Sequence, residues 1–244
     1  MKHARSIVRG TTILGTLLIV GCAARPPSIA HVHVGHAMTA VHVTPGQEGY
    51  MATAERAGQE ANDLALQAIT SSDLAQIKEQ IARVVVASNS DEEFGVKHSL
   101  IMAANHISFA ATSADASLNL QKAAPIFAGN ISRPVERCQL IALLGKDVAA
   151  ADTLEEGRLL AEEIQKLTAA NLGGEDVDED GDIGSTPAEY GLSQLRGELE
   201  AMVAAETPRY AAIDNWYLFN LVRLPNGRWV FDKLGRGGNI EGYK

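Results

Sequence analysis

Positive charge is scarce in this sequence. Between residues 22 and 206, twelve basic side chains face twenty-seven acidic ones. A body of that sign repels a phosphate backbone and argues against nucleic acid as a partner. The balance reverses only in residues 207–244, where six basic side chains stand against three acidic. That small excess reads as solvated surface. Beyond the N-terminal segment, no stretch reaches the ~20 apolar residues of a membrane-spanning helix. No repeat of ~20–50 residues is visible. Catalytic signatures are missing too: there is no Glu-x-x-His pair, His-Glu-x-x-His, Gly-x-Ser-x-Gly or Cys-x-x-Cys-His, and Gly145-Lys146 lacks the upstream glycine of a phosphate loop. These absences favour a non-enzymatic protein. The alternative is a hydrolase whose site assembles only in three dimensions.

Cysteine is equally sparse, with Cys22 and Cys138 the only two in 244 residues. The chain opens MKHARSIVRGTTILGTLLIVGC. Lys2, Arg5 and Arg9 form a basic region, and Thr11 to Val20 a short apolar one, too short to span a bilayer comfortably. This is the pattern of a signal peptide over residues 1–21. Ile19-Val20-Gly21-Cys22 resembles the lipobox of bacterial lipoproteins. The resemblance covers only this segment. It implies cleavage before Cys22, acylation of its thiol and new amino group, and an address in the cell envelope. With Ala rather than Asp at residue 23, it also implies the outer membrane, facing the periplasm, over the inner membrane. Several acyl chains on one residue anchor stably where one does not. The mature chain of 223 residues is long enough for one good core or two small ones. A lipidated Cys22 leaves Cys138 without a disulfide partner. Set among Val135, Leu140 and Ile141, Cys138 reads as a small buried hydrophobe.

Residues 22–50 carry Pro26-Pro27 and Pro45-Gly46 and few long apolar side chains, and read as a lipid-anchored tether and an extended, histidine-rich segment. From residue 51 the period becomes helical. Ala54, Ala57, Ala61, Leu64 and Ala68 form one stripe. Leu74, Ile77, Ile81 and Val84 form a second after the capping cluster Ser71-Ser72-Asp73. Val96, Leu100, Ala103, Ile107 and Ala110 make a third. A shorter helix is expected from about 114 to 124, ending before Pro125. Pro134 suits the first turn of another, with Ile141, Leu144, Val148 and Ala151. Leu160, Ile164 and Leu167 mark the next, closed by Gly173-Gly174. Leu192, Leu195, Leu199 and Met202 mark the last, from about 187. Short connections favour antiparallel neighbours. The expected fold is mainly α, an antiparallel bundle of six to seven helices over 51–206. Pro225-Asn226-Gly227, between two aromatic and β-branched runs, predicts a small C-terminal β-hairpin in 207–244, packed with its basic tail on the bundle.

The stretch GGEDVDEDGDIGSTPAEYGL (173–192) holds six carboxylates within residues 175–182. Asp176, Asp178, Asp180, Gly181 and Ile183 resemble the first eight positions of an EF-hand or dockerin calcium loop. Alternate side chains of a curled loop offer hard oxygen donors, Gly181 permits the sharp turn, and the carbonyl of Asp182 stands at the seventh position. The pattern then departs from the family. Pro187 occupies the twelfth position, where a bidentate Glu is expected, and the next carboxylate, Glu189, comes two residues late. Thr186-Pro187-Ala188-Glu189 also fits a capping box. Glu189 therefore caps, ligates or does neither. Calcium is the expected ion, with a solvated acidic loop as the alternative.

HVHVGHAMTAVHV (31–43) holds four of the seven histidines. As a strand it places His31 and His33 on one face, with His36 and His42 beyond, and two to four imidazoles suit copper or zinc. No zinc spacing is matched, and a strand with solvent-facing histidines explains the same letters. His98 and His106 fall on one helix, about 12 Å apart along its axis, too far to share an ion. His106 lies at the edge of its stripe, where it is either a satisfied boundary residue or meets a ligand from another element. The function expected is a membrane-anchored binding or structural module with a calcium loop. A histidine-dependent copper or zinc carrier is the first alternative and an envelope hydrolase the second. The protein or small-molecule partner is not legible.

Overall fold

The computed structural model describes residues 28–206 and the backbone of 221–223 and 229–231. The signal segment, Cys22 and the turn at Pro225-Asn226-Gly227 lie outside the described residues. The chain is mainly helical: α1 (Ile29–Met38), α2 (Tyr50–Thr70), α3 (Leu74–Asn89), α4 (Val96–Thr112), α5 (Leu118–Asn130), α6 (Ser132–Ala150), α7 (Leu154–Gly173) and α8 (Leu192–Ala204). Leu221–Arg223 pairs antiparallel with Trp229–Phe231, with Leu221 opposite Phe231. How that pair sits against the helices lies outside the described residues.

Local chemistry starts and stops these helices. Asp73 accepts the amide of Ala75 at 2.9 Å to open α3, and Thr153 accepts that of Glu156 at 3.2 Å to open α7. Each takes up a donor that the first turn would otherwise leave unpaired. The stripes then meet in two apolar cores. One gathers Ala61, Leu64, Ala68, Ile77, Ile81, Val84, Ile141, Val148, Ala161 and Ile164 from α2, α3, α6 and α7. The other joins the first half of α2 to α1, α4, α5 and α8, around Met51, Leu100, Ile107, Phe127, Leu195 and Leu199. Helix α2 runs through both. Among the described residues no helix is long and apolar enough to cross a membrane.

Three boundaries differ from the sequence expectation. Residues 29–38 are not extended but form α1. Ser28 caps it by accepting the amide of His31 at 3.1 Å, and Ala30, Val34 and Ala37 enter the core. That is 3,4 spacing, hidden by the alternation of His and Val at 31–34. The bundle therefore has eight α-helices among the described residues, and the histidine-rich segment belongs to it rather than to a tether. Helix α5 begins at 118, where Ser117 accepts the amide of Leu120 at 3.0 Å, and runs through Pro125. The proline is on the exposed face, so the carbonyl of exposed Gln121, deprived of its helical donor, can be served by water. Finally, α8 begins at 192. Residues 187–189 form a separate 3-10 turn that keeps the capping box of Thr186 and Glu189.

Ile164, fully buried in the core on α7, is a test of this packing. Ile164→Ala should lower stability by about 2–5 kcal/mol, read as a shifted urea midpoint. Exposed Leu159, on the same helix, should tolerate Ala to within about 0.5 kcal/mol.

Candidate metal centres

The acidic loop leaves α7 and returns to α8 through two backbone stems in close contact. Gly174 has φ +85°, and a Cβ there would lie 2.5 Å from the carbonyl oxygen of Glu189. At Gly191 a Cβ would lie 2.4 Å from the amide nitrogen of Gly174. Both distances are too short for any side chain, so glycine lets the stems touch. Glu175 then donates its amide to the Glu189 carbonyl at 3.0 Å. Beneath the stems sits Arg137 of α6, fully buried. Its Nη1 donates to the carbonyls of Tyr190 at 2.6 Å and Ala170 at 3.2 Å, and its Nη2 stands 3.4 Å from Glu175 Oε2. Burial and the nearby Arg133 charge lower its pKa, against the pull of Glu175. An arginine nevertheless keeps its proton near neutral pH.

Above the stems the loop curls on itself. Asp176 Oδ2 accepts the amide of Gly181 at 3.0 Å, and Asp180 Oδ1 accepts that of Asp182 at 2.8 Å. One carboxylate oxygen from each of Asp176, Asp178, Asp180 and Glu189 falls within 4.8 Å of the others. Oxygens on opposite sides of a calcium ion stand about 5 Å apart, twice the Ca–O distance, so the spacing fits. The carboxylate of Asp182 is not in this group; its amide serves Asp180 instead.

Glu189 is the capping group of the loop's return path. It is fully buried. Oε2 accepts the amides of Gly184 and Ser185, each at 2.8 Å, and of Thr186 at 3.3 Å, together with the Ser185 hydroxyl at 3.1 Å. Oε1 has no hydrogen-bond partner among the described residues, and neither has Asp176 Oδ1. A buried carboxylate oxygen without a donor is costly. Burial opposes ionisation of Glu189, but the donors of Gly184, Thr186 and Ser185 outweigh it and hold its pKa to about 2. At Asp178 the direction is opposite: desolvation and the neighbouring charges of Asp180, Glu189 and Asp176 raise its pKa despite the Asp180 amide. The loop is a negative cage with inward-facing lone pairs.

The histidines divide differently from the expectation. His31 points away, its Nε2 3.2 Å from Glu206 Oε2; buried Glu206 also accepts from Ser117 and Asn119, each at 2.6 Å. His42 is exposed and joins no cluster of ligand atoms among the described residues, although its charge acts on His36. His33 and His36, three apart on α1, instead meet His106 of α4, with ring nitrogens within 4.8 Å of one another. The Nδ1 atoms of His33 and His106 approach to 3.1 Å. Tyr50 stacks on His106 with ring centroids 5.4 Å apart. Burial, reinforced by neighbouring imidazoles, lowers the pKa of His36 and of His106 to about 4. Burial lowers that of His33 too, against the charge of Asp115. Cys138 is fully buried with its pKa pushed up to about 12 by desolvation, which makes it an inert thiol.

Arg137 was invisible in the sequence, because a lone arginine between apolar positions carries no periodic or motif signal. Arg137→Met should destabilise strongly, since each carbonyl left buried without a donor costs about 1–3 kcal/mol. Arg137→Lys should restore only part of that, because an ammonium lacks the planar fork. For Glu189 the sign is set by a depressed pKa: its contribution is full above the ordinary carboxyl value near 4.5 and fades as pH falls toward about 2. Melting curves in chelator between pH 5 and pH 2 should therefore fall more steeply for the native chain than for Glu189→Gln. Comparison with family models, with curated proteins and with solved structures finds no match to this chain, so its functional reading rests on these two clusters.

Proposed function

We propose that this chain is an envelope lipoprotein, anchored through Cys22 in the outer membrane and facing the periplasm, that acts as a non-enzymatic binding or structural module with a calcium ion in the loop 176–189. The bundle, with the C-terminal hairpin and basic tail packed on it, presents that loop. The observation that carries the calcium reading is the divided carboxylate of Glu189. One oxygen accepts four donors of its own loop, the other is buried with no hydrogen-bond partner among the described residues, and the carboxylate lies within 4.8 Å of a ligand oxygen of each of Asp176, Asp178 and Asp180. Carboxylate oxygens are the hard donors calcium prefers, and the Asp182 carbonyl supplies another at the seventh position. The ion offsets the repulsion within the cage. The lipobox and the basic and apolar regions before it support the address.

Calcium bound only to the folded form should stabilise it by about 2.7 kcal/mol at a hundredfold excess over the dissociation constant. Chelator should lower the melting temperature, calcium should restore it, and magnesium should do so less well, because it demands tighter octahedral geometry. Asp178→Ala with Asp180→Ala should abolish the response and leave helical content intact. An unchanged melt across millimolar calcium, with no heat of binding, sinks the calcium reading. The address is tested separately: Cys22→Ser should leave uncleaved or mislocalised precursor, and an unchanged N-terminus with full membrane retention would refute the anchor.

A further inference from the structure

We propose that His33 and His36 of α1 and His106 of α4 form a second metal site, for a divalent ion of the zinc–copper kind. This site stands on other elements than the acidic loop and does not rest on the calcium reading.

The geometry carries it. Two imidazole nitrogens bound to one tetrahedral ion at 2.0–2.1 Å stand about 3.3 Å apart. The Nδ1 atoms of His33 and His106 are 3.1 Å apart, and a nitrogen of His36 is in the same group. The set comes from two helices. Residues three apart on one helix face the same way, and the third ligand arrives across the α1–α4 contact. The close pair also needs an explanation. Two neutral rings meeting through Nδ1 must share one proton in a hydrogen bond or turn both lone pairs on a cation; otherwise they repel. His36 Nδ1 is itself buried with no hydrogen-bond partner among the described residues. A single shared proton between His33 and His106 leaves His36 out, whereas an ion draws on a nitrogen of each of the three rings. Tyr50, stacked on His106, and Phe109, with ring centroids 5.5 Å from His33 and 6.0 Å from His106, wall the group. Tyr50 is buried behind His106, while Phe109 lies on the exposed side of the group. Neutral imidazole suits zinc and copper, whereas calcium and magnesium take oxygen.

The site also differs from the one the sequence suggests. A flexible tract would use His31, His33, His36 and His42 alike. Here His31 is held by Glu206 and His42 is exposed, while His106, 73 residues from His33 in the chain, completes the set. Metal loading is thus tied to α1 docking on α4.

The test uses the full chain, purified in detergent and stripped with chelator, then titrated with Zn(II), Cu(II) or Co(II). One equivalent should bind at micromolar concentration or tighter, with the visible bands of low-symmetry nitrogen coordination for Co(II). His33→Gln, His36→Gln and His106→Gln should each weaken binding by at least about tenfold. His42→Gln and the Asp178→Ala, Asp180→Ala double variant should bind as the native chain does. Side-chain NMR of the native chain reads the same outcome without any variant: zinc should move the ring signals of His33, His36 and His106 and leave those of His42 and His98 in place. Absence of saturable binding, equal loss on His42→Gln, or ring shifts led by His42 or His98 would overturn the site and leave a hydrogen-bonded histidine cluster.

Discussion

Inside α6 the guanidinium of Arg137 has no access to water and must find its partners in the protein. It finds the carbonyls of Ala170, at the end of α7, and of Tyr190, just before α8. Those two carbonyls are the points where the chain leaves one helix and enters the next. A rigid planar donor that bridges them fixes their separation, and the loop between them is then closed to a definite shape. The glycines at 174 and 191 let the stems approach, but it is the buried charge that makes separation costly. The positions of Asp176 and Glu189 relative to each other follow from it. The end of α7 and the start of α8, where Leu172 and Leu192 share one core, are held by the same guanidinium.

The parts of the fold legible in the sequence are those whose period matches one element. The stripes of α2 and α4 read cleanly, because every third or fourth residue is apolar and every one of those residues is buried. Asp73 and Thr153 read as caps for a similar reason: the short polar side chain has one local partner, and that partner is set by sequence distance. Helix α1 reads as a strand because two periods coexist in it. His31-Val32-His33-Val34 alternates as a strand does, while Ala30, Val34 and Ala37 keep the helical spacing with residues too small to dominate the pattern. Only the packing against α4 decides between them.

The candidate sites show the same division. The acidic loop is a local motif, and its spacing could be read directly up to the eighth position. Its last carboxylate could not, because the return path through Gly184 and the 187–189 turn is a matter of loop geometry. The histidine group is not local at all. His33 and His36 are legible only as two of four candidates, with His31 and His33 paired on one strand face, and nothing in the sequence joins them to His106 or removes His31 and His42. Arg137 belongs to the same class, since its role exists only where three segments meet.

Glu189 is held by its own backbone before any cation is considered, and this bears on what sort of device the loop can be. A side chain that must swing into place on binding can report the event to distant parts of a molecule. One that is already clamped by four donors has little room to swing, whatever it meets. A loop so built gives little mechanical output. On the calcium reading proposed above, it suits a permanent rivet between two helices better than a sensor that follows fluctuating concentrations.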